Sequence, residues 1–173
     1  MKLASEIKNI DIYSLYEKEI LGVVDNIILD PTSGSFVAIT IKGKDVNKKT
    51  NMISSHDIKH LGNEVLVVES RETVTGKEDL PKAYEIKQDR IRILGNKVIT
   101  KSGKKIGIVT NFALDTHLTK LSRIYVSKNR LISFLGGDLI FTYNKIIKIK
   151  KNKIVVKDYV DKVKEKTSSS VSI

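Results

Sequence analysis

The stretch ILGVVDNIILDPTSGSFVAITI, from Ile20 to Ile41, decides the fold once it is set beside KIGIVTNFALDTHLTKLSRIYV, from Lys105 to Val126. The first stretch reads as two strands, because Val23, Val24, Ile27 and Ile28, then Val37, Ile39 and Ile41, flank the turn formers Asp30-Pro31-Thr32-Ser33-Gly34. Pro31 suits the second turn position, and Gly34 can take a positive φ where the chain re-enters a strand. In the second stretch Gly107 answers Gly22, Leu114-Asp115 answers Leu29-Asp30, and Leu121, Ile124 and Val126 answer Phe36, Ile39 and Ile41, all at an offset of 85. Further on, LVVES (Leu66 to Ser70) is echoed by IVVKD (Ile154 to Asp158), and Ile58 by Ile146, at an offset of 88. Three residues are therefore inserted in the second copy, in the connection that holds Phe134-Leu135-Gly136-Gly137. So long a period predicts two duplicated domains and not a solenoid of short repeats.

The predicted boundaries are a first domain over residues 1–71, a linker over 72–84, a second domain over 85–159 and a flexible basic, Ser-rich tail over 160–173. The linker is polar and punctuated by Gly76 and Pro81. Ser5 opens either a single helical turn or a strand. Each copy offers about five short strands and little helix, so the fold class is all-β, and strand sets this small bury a face by curling into a barrel or half-barrel.

A charged fraction of 29% and a hydrophobic fraction of 40% are those of a soluble globular chain. No window is apolar for long enough to span a membrane, and MKLASEIKNI has no signal-peptide core, so the expected location is the cytoplasm, with the inner face of the membrane as a peripheral alternative. The absence of cysteine excludes disulfides, thiolate metal sites and cysteine nucleophiles. Charge is unevenly divided. Residues 1–86 carry 11 Lys and Arg against 14 Asp and Glu, whereas residues 87–173 carry 20 against 6. A basic half implies an anionic partner, and the alternative is a solubilising lysine-rich surface, since only 5 of the 31 cations are Arg.

The matched positions resemble the PRC-barrel family, named for the cytoplasmic domain of the photosynthetic reaction-centre H subunit and found also as the C-terminal domain of a ribosome maturation factor. In the first copy they are Leu21-Gly22-Val23-Val24-Asp25 through Leu29-Asp30 and Gly34, then Ile58, Leu61-Gly62 and Val65 to Val68. In the second they are Val98, Gly103, Ile106-Gly107-Ile108-Val109, Leu114-Asp115, Ile146 and Ile154 to Val156. Tyr16-Glu17-Lys18-Glu19 stands where the family commonly has a Gly turn, and Lys150-Lys151 stands near the position of Leu61-Gly62. The resemblance implies two tandem small barrels used as a bacterial adaptor or scaffold, docking on protein or ribonucleoprotein, with no catalytic residue to carry over. The Lys, Ile and Asn richness suits an AT-rich genome such as that of a Gram-positive spore former.

Other chemistry finds little support. His56 and His60 are four apart with Asp57 between them, but the glutamate of a zinc-protease helix is missing and a solvated turn is the simpler reading. His117 reads as a turn residue with no nucleophile near it. Gly22 and Gly107 belong to no phosphate-loop pattern and read as points of close backbone approach. Asp30 and Asp115 read as turn acceptors, because each recurs at the same turn of its own copy. No enzyme, cofactor, metal or small-molecule substrate is predicted. The candidate anion or nucleic-acid contacts are Arg90, Arg92 and Lys97, with Lys101, Lys104 and Lys105 on one hairpin and Lys150, Lys151 and Lys153 on another. If both tips share one end, they form a single phosphate-binding patch. Phe134 and Leu135, in the apolar inserted connection, are candidate partner-docking residues. A protein partner is expected, with RNA or a ribosomal surface as the anionic partner, or acidic lipid in an alternative sporulation-related or membrane-assembly role.

Overall fold

A computed structural model describes residues 1–43, 46–47, 50–115, 117–128 and 138–158. The first copy contributes β1 (Lys2–Leu3), α1 (Ala4–Ile7), β2 (Asp11–Ser14), β3 (Glu19–Leu29), β4 (Phe36–Lys42), β5 (Met52–Ser54), β6 (Ile58–Leu61) and β7 (Val65–Val68). A helix, α2 (Pro81–Gln88), precedes β8 (Lys97–Thr100), β9 (Lys105–Leu114), β10 (Leu121–Ser127), β11 (Leu139–Thr142), β12 (Ile146–Ile149) and β13 (Lys153–Val156). The strand orders are β5-β4-β3-β2-β7-β6 and β11-β10-β9-β8-β13-β12, one the image of the other. Among the described residues neither order closes on itself, so each copy supplies six strands of an open sheet, the second sheet taking β1 as a seventh, where the sequence predicts a barrel or half-barrel of about five strands per copy. In both, the strand that opens the sheet's own hairpin lies parallel to the copy's last strand, β2 to β7 and β8 to β13: Ile12 faces Leu66, and Val98 faces Ile154.

The duplication holds at the level of single residues. Gly22 faces Ile12 across the first hairpin, and Gly107 faces Val98 across the second. Each is a point of close approach: a Cβ on Gly22 would lie 2.5 Å from the Lys42 carbonyl oxygen, and one on Gly107 would lie 2.1 Å from that of Ser127. The aspartates cap their turns as expected. Asp30 accepts from the Thr32 N–H at 2.9 Å and the Ser33 hydroxyl at 2.8 Å, and Asp115 accepts from the Thr119 N–H and hydroxyl, both at 2.7 Å.

The copies do not sit apart. Val24, Ile39 and Leu66 of the first belong to the same buried cluster as Val109, Ile124 and Ile154 of the second. The two β-turns meet in a short antiparallel bridge between Ser35 and Lys120. There the Phe36 N–H donates to the Thr119 carbonyl and the Leu121 N–H donates to the Gly34 carbonyl, each at 2.8 Å. Gly34, Ser35 and Phe36 stand at the same offset of 85 from Thr119, Lys120 and Leu121, so the contact is isologous: each turn does to the other what is done to it. Gly34 is fixed there twice over, by a φ of +72° and by the Tyr143 ring, which a Cβ would approach to 2.5 Å.

Each copy also lends the other its leading segment. Strand β1 pairs Lys2 with Leu114 and Leu3 with Ala113, and Ser5 exchanges hydrogen bonds with the Asn111 amide. In return α2 lays Ala83 and Ile86 over Ile28, Ala38 and Met52 of the first copy. Residues 72–84 are thus no free linker: Thr75 exchanges backbone hydrogen bonds with Met52 at 2.8 and 3.0 Å, and the helix begins at Pro81, whose missing N–H costs nothing at a helix start. The Lys82 ammonium meets Asp30 at 2.6 Å, and Lys87 donates to Asn51 at 2.6 Å. The predicted tail, 160–173, lies outside the described residues.

Candidate anion-docking groove

The parallel pairing of β8 with β13 fixes where the lysines go. Lys97 stands opposite Lys153 and Thr100 opposite Val156, so the hairpin tip that follows Thr100 and the tip that precedes Lys153 lie at opposite ends of the sheet, about 10 Å of strand apart. The condition for a single six-lysine patch is not met. Lys101, Lys104 and Lys105 occupy one end. There the Ser102 hydroxyl and N–H hold Asp158, and that hydroxyl first, then the N–H, lowers the carboxyl's pKa. Lys150, Lys151 and Lys153 occupy the other end, where the Asn96 amide ties the Lys150 carbonyl to that of Arg92 at 2.9 and 2.7 Å. Arg90 and Arg92 both line a cleft of about 120 Å³ between α2 and β3, with Asp25 across it. Phe134 and Leu135 lie outside the described residues, but the end of their connection is mixed, with Phe141 buried and Ile140 exposed.

A larger concavity, of about 580 Å³, lies over β8 and β9. Its floor is Val98, Ile99, Ile106, Gly107 and Ile108, and its rim is Lys97, Lys104, Lys105 and Lys128. The floor is apolar because β8 and β9 pair there as antiparallel neighbours, with Ile99 and Ile108 half-buried and Val98 and Ile106 buried in the core. Three rim lysines were legible as candidate cations, Lys104 and Lys105 on a predicted hairpin and Lys97 on the strand that leads to it. Lys128 was not, since it follows β10 and reaches the groove only through the pairing of Ser127 with Ile108.

Superposing the registers shows what is special about this groove. Lys97, Lys104, Lys105 and Lys128 occupy the positions held in the first copy by Asp11, Glu19, Ile20 and Gly43. Two carboxylates have become two ammonium groups, and two uncharged residues have become two more. An apolar trough ringed by four cations attracts an anion and rewards an apolar group carried with it.

The histidines form nothing comparable. His56 lies in a 3-10 turn with Nδ1 3.4 Å from the Ser54 hydroxyl, and His60 lies on β6. Among the described residues no three His, Cys, Asp or Glu side chains are grouped to hold a metal ion, and no helix is long and apolar enough to cross a membrane.

No curated protein matches the chain. Residues 1–74 and 90–163 match the PRC-barrel domain, and the two matched segments contain β2–β7 of one sheet and β8–β13 of the other. On that double match the chain belongs to the PRC-barrel domain family, as two tandem copies.

Proposed function

We propose that the protein is a non-enzymatic cytoplasmic adaptor, whose second copy holds an anionic partner in the β8–β9 groove while the first serves as scaffold. The observation that carries this reading is the change of sign at equivalent positions, from Asp11 and Glu19 to Lys97 and Lys104. A general excess of lysine would have enriched both copies. The partner class that fits best is a protein or ribonucleoprotein surface: the floor is aliphatic, without the aromatic side chains on which single-stranded bases stack. Acidic lipid on the inner face of a membrane is the second reading, supported by the same lysine rim.

The test uses the full chain, because the copies share a core. Binding to ribosomal particles, structured RNA and acidic vesicles is measured at low and high salt for the native protein and for a variant with Lys97, Lys104, Lys105 and Lys128 changed to Glu. Native binding that weakens with salt and is lost in the variant is expected. With a nucleic-acid partner the logarithmic salt slope falls by roughly 0.7 to 0.9 for each phosphate contact removed. Undiminished binding by the variant removes the groove from the function, and no binding by the native protein to any of the three leaves its lysines as solubilising surface.

A further inference from the structure

The hairpin between β2 and β3, in the first copy, is the counterpart of the basic tip beside the groove, and it has the opposite character. Leu15, Tyr16 and Ile20 are 46%, 81% and 57% exposed, so half of the exposed large apolar side chains among the described residues fall within six positions on one tip. The charged residues about the tip are Glu17, Glu19, Glu69 and Glu72 against Lys18, Lys59 and Arg71, with Glu69 paired to Lys59 and Glu19 to Arg71, which leaves one net negative charge. The tip is held in shape. Glu17 accepts from the Ser14 hydroxyl and from the Arg71 N–H, the latter at 3.0 Å, and Arg71 also pairs with Glu19. The Tyr16 N–H donates to the Glu69 carbonyl at 2.9 Å.

We infer that this hairpin tip of one molecule docks into the β8–β9 groove of another, so that the protein associates head to tail with itself. The match is one of shape, polarity and charge. An exposed apolar knob with a small net negative charge meets an apolar trough that carries four lysines. It has a direction, because the second copy's own tip, Lys101-Ser102-Gly103-Lys104, carries no apolar side chain, and the first copy's equivalent of the groove carries Asp11 and Glu19 where the rim needs cations. Each molecule therefore offers one plug and one socket. Such a heterologous contact does not stop at a dimer; it runs on into chains or closes as a ring. A knob of three apolar side chains belongs with the small, transient interfaces of below about 1,200 Å² in total, so association is weak and concentration-dependent. The same lysines serve the anionic partner proposed above, which then competes with self-association.

Sedimentation velocity on the full chain, across a wide concentration range at low and high salt, tests this. The expected result is a weight-average mass that passes beyond the dimer with concentration and falls with salt. Two variants locate the contact: Tyr16→Ser with Ile20→Ser removes the plug, and Lys104→Glu with Lys105→Glu removes the socket. Each alone is expected to remain monomeric with an unchanged melting curve, and a mixture of the two is expected to give a one-to-one dimer and nothing larger, since one intact plug and one intact socket remain. A native protein that is monomeric throughout, or that stops at a dimer, overturns the inference. So does a mixture that fails to associate, or a plug variant that assembles like the native chain. Because the plug variant retains all four rim lysines, its binding to ribosomal particles, RNA or vesicles tests the anionic-partner reading separately.

Discussion

The first copy and the second copy share a strand order, a pair of close-approach glycines and a pair of aspartate-capped turns, yet they differ in what lies on their outer faces. Over β3, β4 and β5 the first copy is sealed by α2, so that Ala38 and Met52 are fully buried. The registers place Arg123 and Ile140 at the same positions of the second copy, and there Ile140 is 53% exposed. Over the first hairpin the difference is one of sign, acidic and apolar in the first copy and lysine-rimmed in the second. Positions that answer to the shared core are kept in kind, and positions that answer to solvent have diverged. The family relationship therefore fixes the scaffold and leaves function to be read from where the copies disagree.

The comparison breaks most completely if the copies are separable. One core holds both, and each copy's leading segment packs on the other, so the full chain is expected to melt in a single cooperative transition, and fragments 1–80 and 81–173 are each expected to lack a transition of their own. Two resolved transitions in calorimetry would show independent domains. Next in size are the glycines. Gly107→Ala drives a methyl group against the Ser127 backbone and Gly22→Ala against that of Lys42, and each is expected to cost about 3 kcal/mol in denaturant unfolding. If one costs almost nothing, the two hairpins are not equivalent.

A smaller effect separates the two capped turns. Burial raises the pKa of Asp30, but Lys82, the Thr32 N–H and the Ser33 hydroxyl outweigh it and bring the carboxyl down to about 2. Asp115 is also lowered, with burial opposing the bonds from Thr119 and Lys120 and the nearby His117, but among the described residues no lysine pairs with it as Lys82 does with Asp30. A carboxyl depressed in the fold stabilises it fully above its unfolded pKa near 4, and that stabilisation is lost as pH falls through the folded value. Asp30→Asn is therefore expected to cost about 1 to 2 kcal/mol near neutral pH, with the gap from the native protein closing towards pH 2. The change at Asp115 should be the smaller of the two, and urea titrations at several pH values measure both.

The repeat was legible because its signals are local: a glycine where a strand crosses closely, an aspartate before a turn, and branched residues at alternate positions. What brings the copies together was not. Ser35 and Lys120 are ordinary turn residues whose pairing depends on two distant turns meeting, and Leu3 gives no sign that its partner is Ala113. The helix was hidden for a different reason. PKAYEIKQ buries only Ala83 and Ile86, too few to stand out against Gly76 and Pro81, and its stability comes from the sheet face it covers. The six tip lysines were visible as cations, but their division between two ends follows from the parallel pairing of β8 with β13, which no local pattern encodes. The open sheets have the same origin, since closure depends on whether the outermost strands meet.

The bridge through Ser35 and Lys120 has a consequence beyond holding two turns together. Its reciprocal bonds are those of a symmetric pair of separate subunits, and in such a pair every change in one partner is copied into the other, so an acidic patch on one side is an acidic patch on both. A covalent connection ends that constraint. It also frees assembly from how much protein the cell makes, because a short tether holds its two halves at an effective concentration on the order of millimolar whatever the dilution. The duplicated chain is thus a dimer whose two subunits are free to become different molecules, one acidic and one basic, while the seam between them continues to treat them as alike.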